Sequence, residues 1–178
     1  MNKTKIFTWE MAGFVIISLS GSFLHFVFEL LGEWRPAALI AAVNESTWEH
    51  LKLAFWPALI YALIEWPFFR GRVHNFWTAK AIGLLAMPLV IVSAFYGYTA
   101  LAGRNFLWAD IPLFILAVLI GQLLSCRILL RPSPASRKQT PALVLLVLMI
   151  AAFSLLTFFP PKNFLFRDPV TGQYGIVR

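Results

Sequence analysis

The densest chemistry in the chain is Val43-Asn44-Glu45-Ser46-Thr47-Trp48-Glu49-His50-Leu51-Lys52, which sets two carboxylates, an amide, an indole and an imidazole close together. A helix start explains part of it. Ser46 as N-cap with Glu49 three residues on is a capping box, and acidic groups suit the positive helix N-terminus. That role does not require Asn44, Glu45, Trp48 and His50 as well. Glu45 and Glu49 share a face if the helix begins early. A second polar stripe runs through an apolar stretch, where Ser18, Ser22, His25 and Glu29 recur at i, i+4, i+7 and i+11. Imidazole and carboxylate donors suit Zn, Fe or Mn. One reading is therefore a divalent metal on His25, Glu29, Glu49 and His50, with Glu45 or Asp110 as outer group or base. A metal held there would activate water for hydrolysis. No H-E-x-x-H spacing accompanies it. With Asn44, Trp48, Glu65 and Tyr96, these residues form a candidate polar pocket.

The elements that must position them are membrane spans. Of 178 residues, 60% are hydrophobic and only 13% charged, with a mean hydropathy of +0.75. Soluble domains carry about 25% charged residues. The expected fold is all-α, a single domain over 1–178 built as a bundle of five transmembrane helices at roughly 8–31, 48–68, 77–101, 108–130 and 141–160. Arg70-Gly71-Arg72, Gly103-Arg104-Asn105 and Arg131-Pro132-Ser133-Pro134 separate the middle spans, and Pro160-Pro161 ends the last. Ser18-Leu19-Ser20 is a tolerable signal-peptide site, but the apolar run continues past it, so the first span is read as retained. The lone Cys126 excludes an intrachain disulfide.

Charge orients the bundle. The N-terminal side collects nine bases (Lys3, Lys5, Arg70, Arg72, Lys80, Arg127, Arg131, Arg137, Lys138) against Glu10 and Glu65. The other side balances six bases with six acids. The whole net charge of +7 thus lies on the N-terminal side, which places the N-terminus in the cytoplasm and the C-terminus outside the plasma membrane. Trp9, Trp66 and Trp77 fall at inner ends, and Trp34, Trp48 and Trp108 at outer ends. The bases flank spans in short clusters, so the partner is the lipid bilayer and not nucleic acid. A second copy of the chain, or another membrane protein, stays open as a partner.

Within the spans, Glu10 and Glu65 are expected to pair with Lys5, Arg70 or Arg72. Pro57 frees the carbonyl of Leu53. Ser125 and Gly121 read as packing residues. The apolar segment 36–43 reads as a lid in the membrane interface, and the turn-rich tail after Pro161 as a short hairpin over the outer mouth or a frayed end. His25 lies about 9 Å from the end of its helix, at 1.5 Å per residue.

Gly21-Ser22-Phe23-Leu24-His25, the run Val43 to Lys52, Glu65, Phe95-Tyr96-Gly97-Tyr98-Thr99 and Asp110-Ile111 carry a resemblance, as does the ending from Phe158-Phe159-Pro160-Pro161 to Asp168-Pro169-Val170-Thr171-Gly172-Gln173-Tyr174-Gly175. Together they resemble a family of small multi-pass bacterial membrane proteins of unknown function, mainly from Gram-positive lineages, with a V-N-E-S-x-W-E-H-L-K motif. The resemblance covers nearly the whole chain and implies a membrane protein, but no reaction and no cofactor. The reading favoured on sequence is a structural or regulatory membrane component with a polar outer-facing pocket. Two alternatives stand beside it: a pocket that binds or passes a small solute, ion or lipid headgroup, and a metal-dependent membrane hydrolase.

Overall fold

The computed structural model describes residues 1–132, 134 and 138–176. Arg137 and Arg178, both counted in the charge balance, lie outside that set, as do Ser133, Ala135, Ser136 and Val177. The regular elements of the described residues are helices: α1 (Lys3–Leu30), a short 3-10 helix (Arg35–Leu39), α2 (Thr47–Phe69), α3 (Phe76–Ala102), α4 (Leu107–Leu129) and α5 (Thr140–Leu155). Among the described residues no strand occurs; a single antiparallel bridge, Arg167 to Tyr174, closes a turn in the tail.

Three helices, α1, α3 and α4, are long and apolar enough to cross a membrane. α2 has the length, but Glu49, Lys52 and Glu65 interrupt it, and all three are buried. α5 has 16 residues, about 24 Å at 1.5 Å per residue. It stops five residues short of the span expected to reach Pro160, because the amides of Phe158 and Phe159 both turn back onto the carbonyl of Leu155. That turn aims the hydroxyl of Thr157 inward.

α2 is the buried centre of the bundle. Its Leu51, Ala54, Phe55, Ala58 and Tyr61 share one core with Ile17 of α1, Leu84 and Met87 of α3, Ala117 and Val118 of α4, and Leu146, Met149 and Phe153 of α5. α1 packs on α2 and α4, α3 on α2, α4 and α5. Apolar side chains turned outward remain exposed on every helix, including Leu19, Phe23, Leu63, Leu89, Leu116 and Val147. Segment 36–43 is no loose flap: Ala37, Ala38 and Ala41 are buried against Phe28 of α1.

Candidate metal centre

A glycine and a proline bring the donors together. Pro57 cannot donate to the carbonyl of Leu53, and that carbonyl faces α1 at Gly21. A Cβ built on Gly21 would stand 2.3 Å from the Leu53 oxygen, so only glycine admits this approach. One turn further along each helix towards the same end of the bundle, His25 of α1 meets His50 of α2. Their Nε2 atoms are 3.3 Å apart.

The third donor is Glu45. Its Oε1 lies 3.6 Å from His25 Nε2, and its Oε2 lies 3.4 Å from His50 Nε2. One donor atom from each of the three falls within 4.8 Å of the others. The N-cap turn produces this. Ser46 ends the extended segment and accepts from the Glu49 amide at 3.4 Å, so the helix begins at Thr47 and Glu45 precedes it. The chain turns there and carries the Glu45 carboxylate back over His50. The ring of His50 is also fixed: Nδ1 donates to the Ser46 carbonyl at 2.9 Å. A carbonyl can only accept, so the proton of the neutral imidazole sits on Nδ1 and the Nε2 lone pair points at the cluster. Such an outer hydrogen bond orients a ligating imidazole. The His25 and His50 rings, which donate to Glu45 through Nε2 whenever that nitrogen carries a proton, hold its carboxyl well below the usual carboxylate range, against the opposing effect of its burial.

Glu29 and Glu49, expected among the ligands, are not part of the cluster. Glu29 is exposed on α1. Glu49 points the other way, into the bundle, where Oε2 accepts from Lys52 at 2.6 Å and from the Val43 amide at 3.2 Å, and Oε1 accepts from Thr157 at 2.7 Å. It is released to do so because the reciprocal half of the capping box is missing: the Ser46 amide donates to Asn44 Oδ1 at 2.8 Å. Glu45 and Glu49 therefore lie on different sides of the helix start, and do not share a face.

The other expected pocket residues support the loop or lie elsewhere. Asn44 Nδ2 donates to the Gly175 carbonyl at 2.7 Å. The Trp48 ring is stacked between Phe153 and Phe166, at 4.8 and 4.6 Å, and its amide donates to the Leu165 carbonyl at 2.9 Å. Tyr96 shares a hydrogen bond of 3.0 Å with Thr47. Asp110 accepts from Tyr98 and, at 3.2 Å, from Asn105, tying the α3–α4 connection. Glu65 lies near the opposite end of the bundle, paired with Lys80 of α3 and not with Arg70 or Arg72. Lys80 is also the partner of Glu10, in place of Lys5.

Sequence reasoning missed Lys52, Thr157 and Lys80 as buried partners, and Gly21 as the contact that sets the distance between histidines. The spacing of Gly21 four residues before His25, with Pro57 four residues after Leu53, was the available signal.

Side-chain exposures of 31% for His25, 34% for His50 and 49% for Glu45 leave one side of the cluster open. Two imidazoles and one carboxylate with an open side can hold a divalent ion and still admit a further ligand.

Residues 1–176 match the model of a Family of unknown function (DUF6512). No curated protein and no solved structure matches the chain.

Proposed function

The chain belongs to this family of unknown function, and we propose that it is a five-span plasma-membrane protein holding a zinc-class divalent metal on His25, Glu45 and His50 at its outer face. The observation that carries the metal reading is the spacing of the donor atoms. Ligand atoms about 2.0–2.1 Å from a tetrahedral zinc stand about 3.3–3.4 Å from one another; the two imidazole nitrogens are 3.3 Å apart, and Glu45 reaches them through separate oxygens, Oε1 at 3.6 Å from His25 and Oε2 at 3.4 Å from His50, with one donor atom from each residue inside 4.8 Å. Three protein ligands with an open fourth position are the pattern of a reactive zinc site. A metal held this way polarises a carbonyl or phosphoryl oxygen and acidifies water, so the reading extends to hydrolysis of a substrate reached from the outer leaflet.

Five spans draw support from the apolar side chains exposed on all five helices, since soluble monomers rarely expose contiguous apolar surface on this scale. The orientation draws support from charge once buried groups are set aside. Without Glu10, Glu65 and Lys80, the N-terminal side keeps eight bases and no acid; without Glu49 and Lys52, the other side stays neutral. The Glu49–Lys52 pair takes the structural role that sequence assigned to the polar set as a whole.

Metal analysis of the purified protein, loaded with zinc and desalted, tests this. Stoichiometric zinc is expected in the wild type and in Glu29→Ala, and its loss in His25→Ala, Glu45→Ala and His50→Ala. A wild type that retains none, or donor variants that retain it equally, would overturn the proposal.

A further inference from the structure

Near the N-terminal end of the bundle, away from the histidines, four helices converge on a second set of ionisable groups. Glu10 of α1 and Glu65 of α2 are both 0% exposed, and Lys80 of α3 is 1% exposed. Lys80 Nζ donates to Glu10 Oε1 at 2.7 Å and touches Glu65 Oε2. From α4, Ser125 donates to Glu10 Oε1 and Gln122 Nε2 donates to the Glu10 backbone carbonyl, each at 3.1 Å. Tyr61 and Cys126 are the remaining titratable groups close enough to interact with the cluster. The Tyr61 hydroxyl is occupied, donating to the Trp9 carbonyl at 2.7 Å.

The cluster is short of donors and of positive charge. Glu10 Oε2 and Glu65 Oε1 have no hydrogen-bond partner, and Glu65 Oε2 meets the ammonium outside hydrogen-bond geometry. Two carboxylates beside one ammonium leave one negative charge uncompensated where burial makes it costly. Orphaned buried oxygens of this kind ask for a missing partner. A metal cation fits poorly: Lys80 already fills the position between the carboxylates, and the packing is close. A Cβ on Gly13, one turn from Glu10, would stand 2.2 Å from Gln122 Nε2 and 2.5 Å from the Tyr61 ring. A proton needs no volume.

We propose that Glu10, Glu65 and Lys80 form a binding site for one exchangeable proton, carried on the carboxylate pair in the inner part of the bundle. Intramembrane carboxylates facing a bundle interior commonly mark proton sites. A cleft of about 250 Å³, bounded by Lys3, Ile6, His74, Asn75 and Leu129, opens at the same end of the bundle. Ile6 lies one turn from Glu10, and with Phe69, Phe76 and Leu129 it forms an apolar layer at that end of the bundle. The proton adds to a carboxylate oxygen and leaves again to water when that layer admits it; no bond between heavy atoms changes. This site stands independently of the metal reading.

Infrared spectroscopy of the full-length protein in detergent tests it. At neutral pH the wild type should show the C=O stretch of a protonated carboxyl, shifted in D2O and unaffected by exchanging potassium for sodium. The band should vanish in the Glu10→Gln/Glu65→Gln double variant, which circular dichroism should find folded. A folded wild type without the band overturns the proposal, even if the double variant fails to fold. A band that survives the double substitution, or one abolished by sodium, overturns it equally.

Discussion

Two buried charge clusters in this bundle use the same residue types to opposite effect. Beside the histidines, Glu49 and Lys52 are one acid and one base. Lys52 spends its three ammonium hydrogens on Glu49 at 2.6 Å, the Ala38 carbonyl at 2.8 Å and Thr157 at 2.9 Å, and both Glu49 oxygens are satisfied in return. Near the other end, Glu10, Glu65 and Lys80 are two acids and one base, with two carboxylate oxygens that have no partner and a third held by charge alone. The first cluster has no need of anything further and acts as a strut between α2, the 3-10 helix and the turn after α5. The second is incomplete by one positive charge. Burial alone therefore does not separate structure from chemistry; stoichiometry of charge and hydrogen bonds does.

The strongest way to break this comparison is Lys52→Met. Removing one partner of a buried pair costs about 3–5 kcal/mol, because the other charge stays buried and unpaired. Thermal unfolding in detergent should show that loss at neutral pH. A loss below about 1 kcal/mol would mean the strut is dispensable.

The Glu→Gln substitutions sharpen the contrast. An amide cannot replace a carboxylate that accepts three hydrogen bonds, so Glu49→Gln should cost about 1–3 kcal/mol. Glu65→Gln mimics a protonated carboxyl and should cost less than about 1 kcal/mol. Equal losses in parallel unfolding curves would erase the distinction.

The smallest effect belongs to the half-exposed Glu45, which belongs to neither buried class. Its carboxyl is held low by the His25 and His50 rings, so its contribution is fully present above the usual carboxylate value of about 4.3. The contribution is lost as pH falls through the lower folded value. Solvent screening limits it to below about 1 kcal/mol. Metal-free wild type and Glu45→Gln, unfolded in parallel from neutral pH downward, should therefore converge in stability on the acid side. Curves that stay parallel would show that the imidazoles do not hold this carboxylate.

Much of the bundle was legible because hydropathy runs, Pro-Pro and Arg-rich breaks are local signals. All five expected helices are there, with α5 the one shortened. The N-cap at Ser46 was legible for the same reason. Which glutamate would face the histidines was not, because it turned on a competition for a single amide: Asn44, not Glu49, bonds the nitrogen of Ser46. Lys52 and Lys80 were counted only towards the charge of one side or the other, since charge counting knows positions along the chain but not which helix face meets which. Lys52 has its ion partner Glu49 close by in sequence, but the Thr157 that completes its site and the Glu10 that pairs with Lys80 lie 105 and 70 residues away, a distance no local pattern spans.

The contacts that brace the Asn44–Trp48 segment come from the far end of the chain. Leu165 and Gly175 supply carbonyls to Trp48 and Asn44, and Phe153 and Phe166 sandwich the indole. During synthesis all three donors of the histidine cluster exist once residue 50 has been added, yet the segment carrying Glu45 has none of these supports until more than a hundred further residues follow. Assembly of the histidine cluster thus comes late in the life of the nascent chain, and a polypeptide released early would bear His25, Glu45 and His50 without the brace that holds them in place.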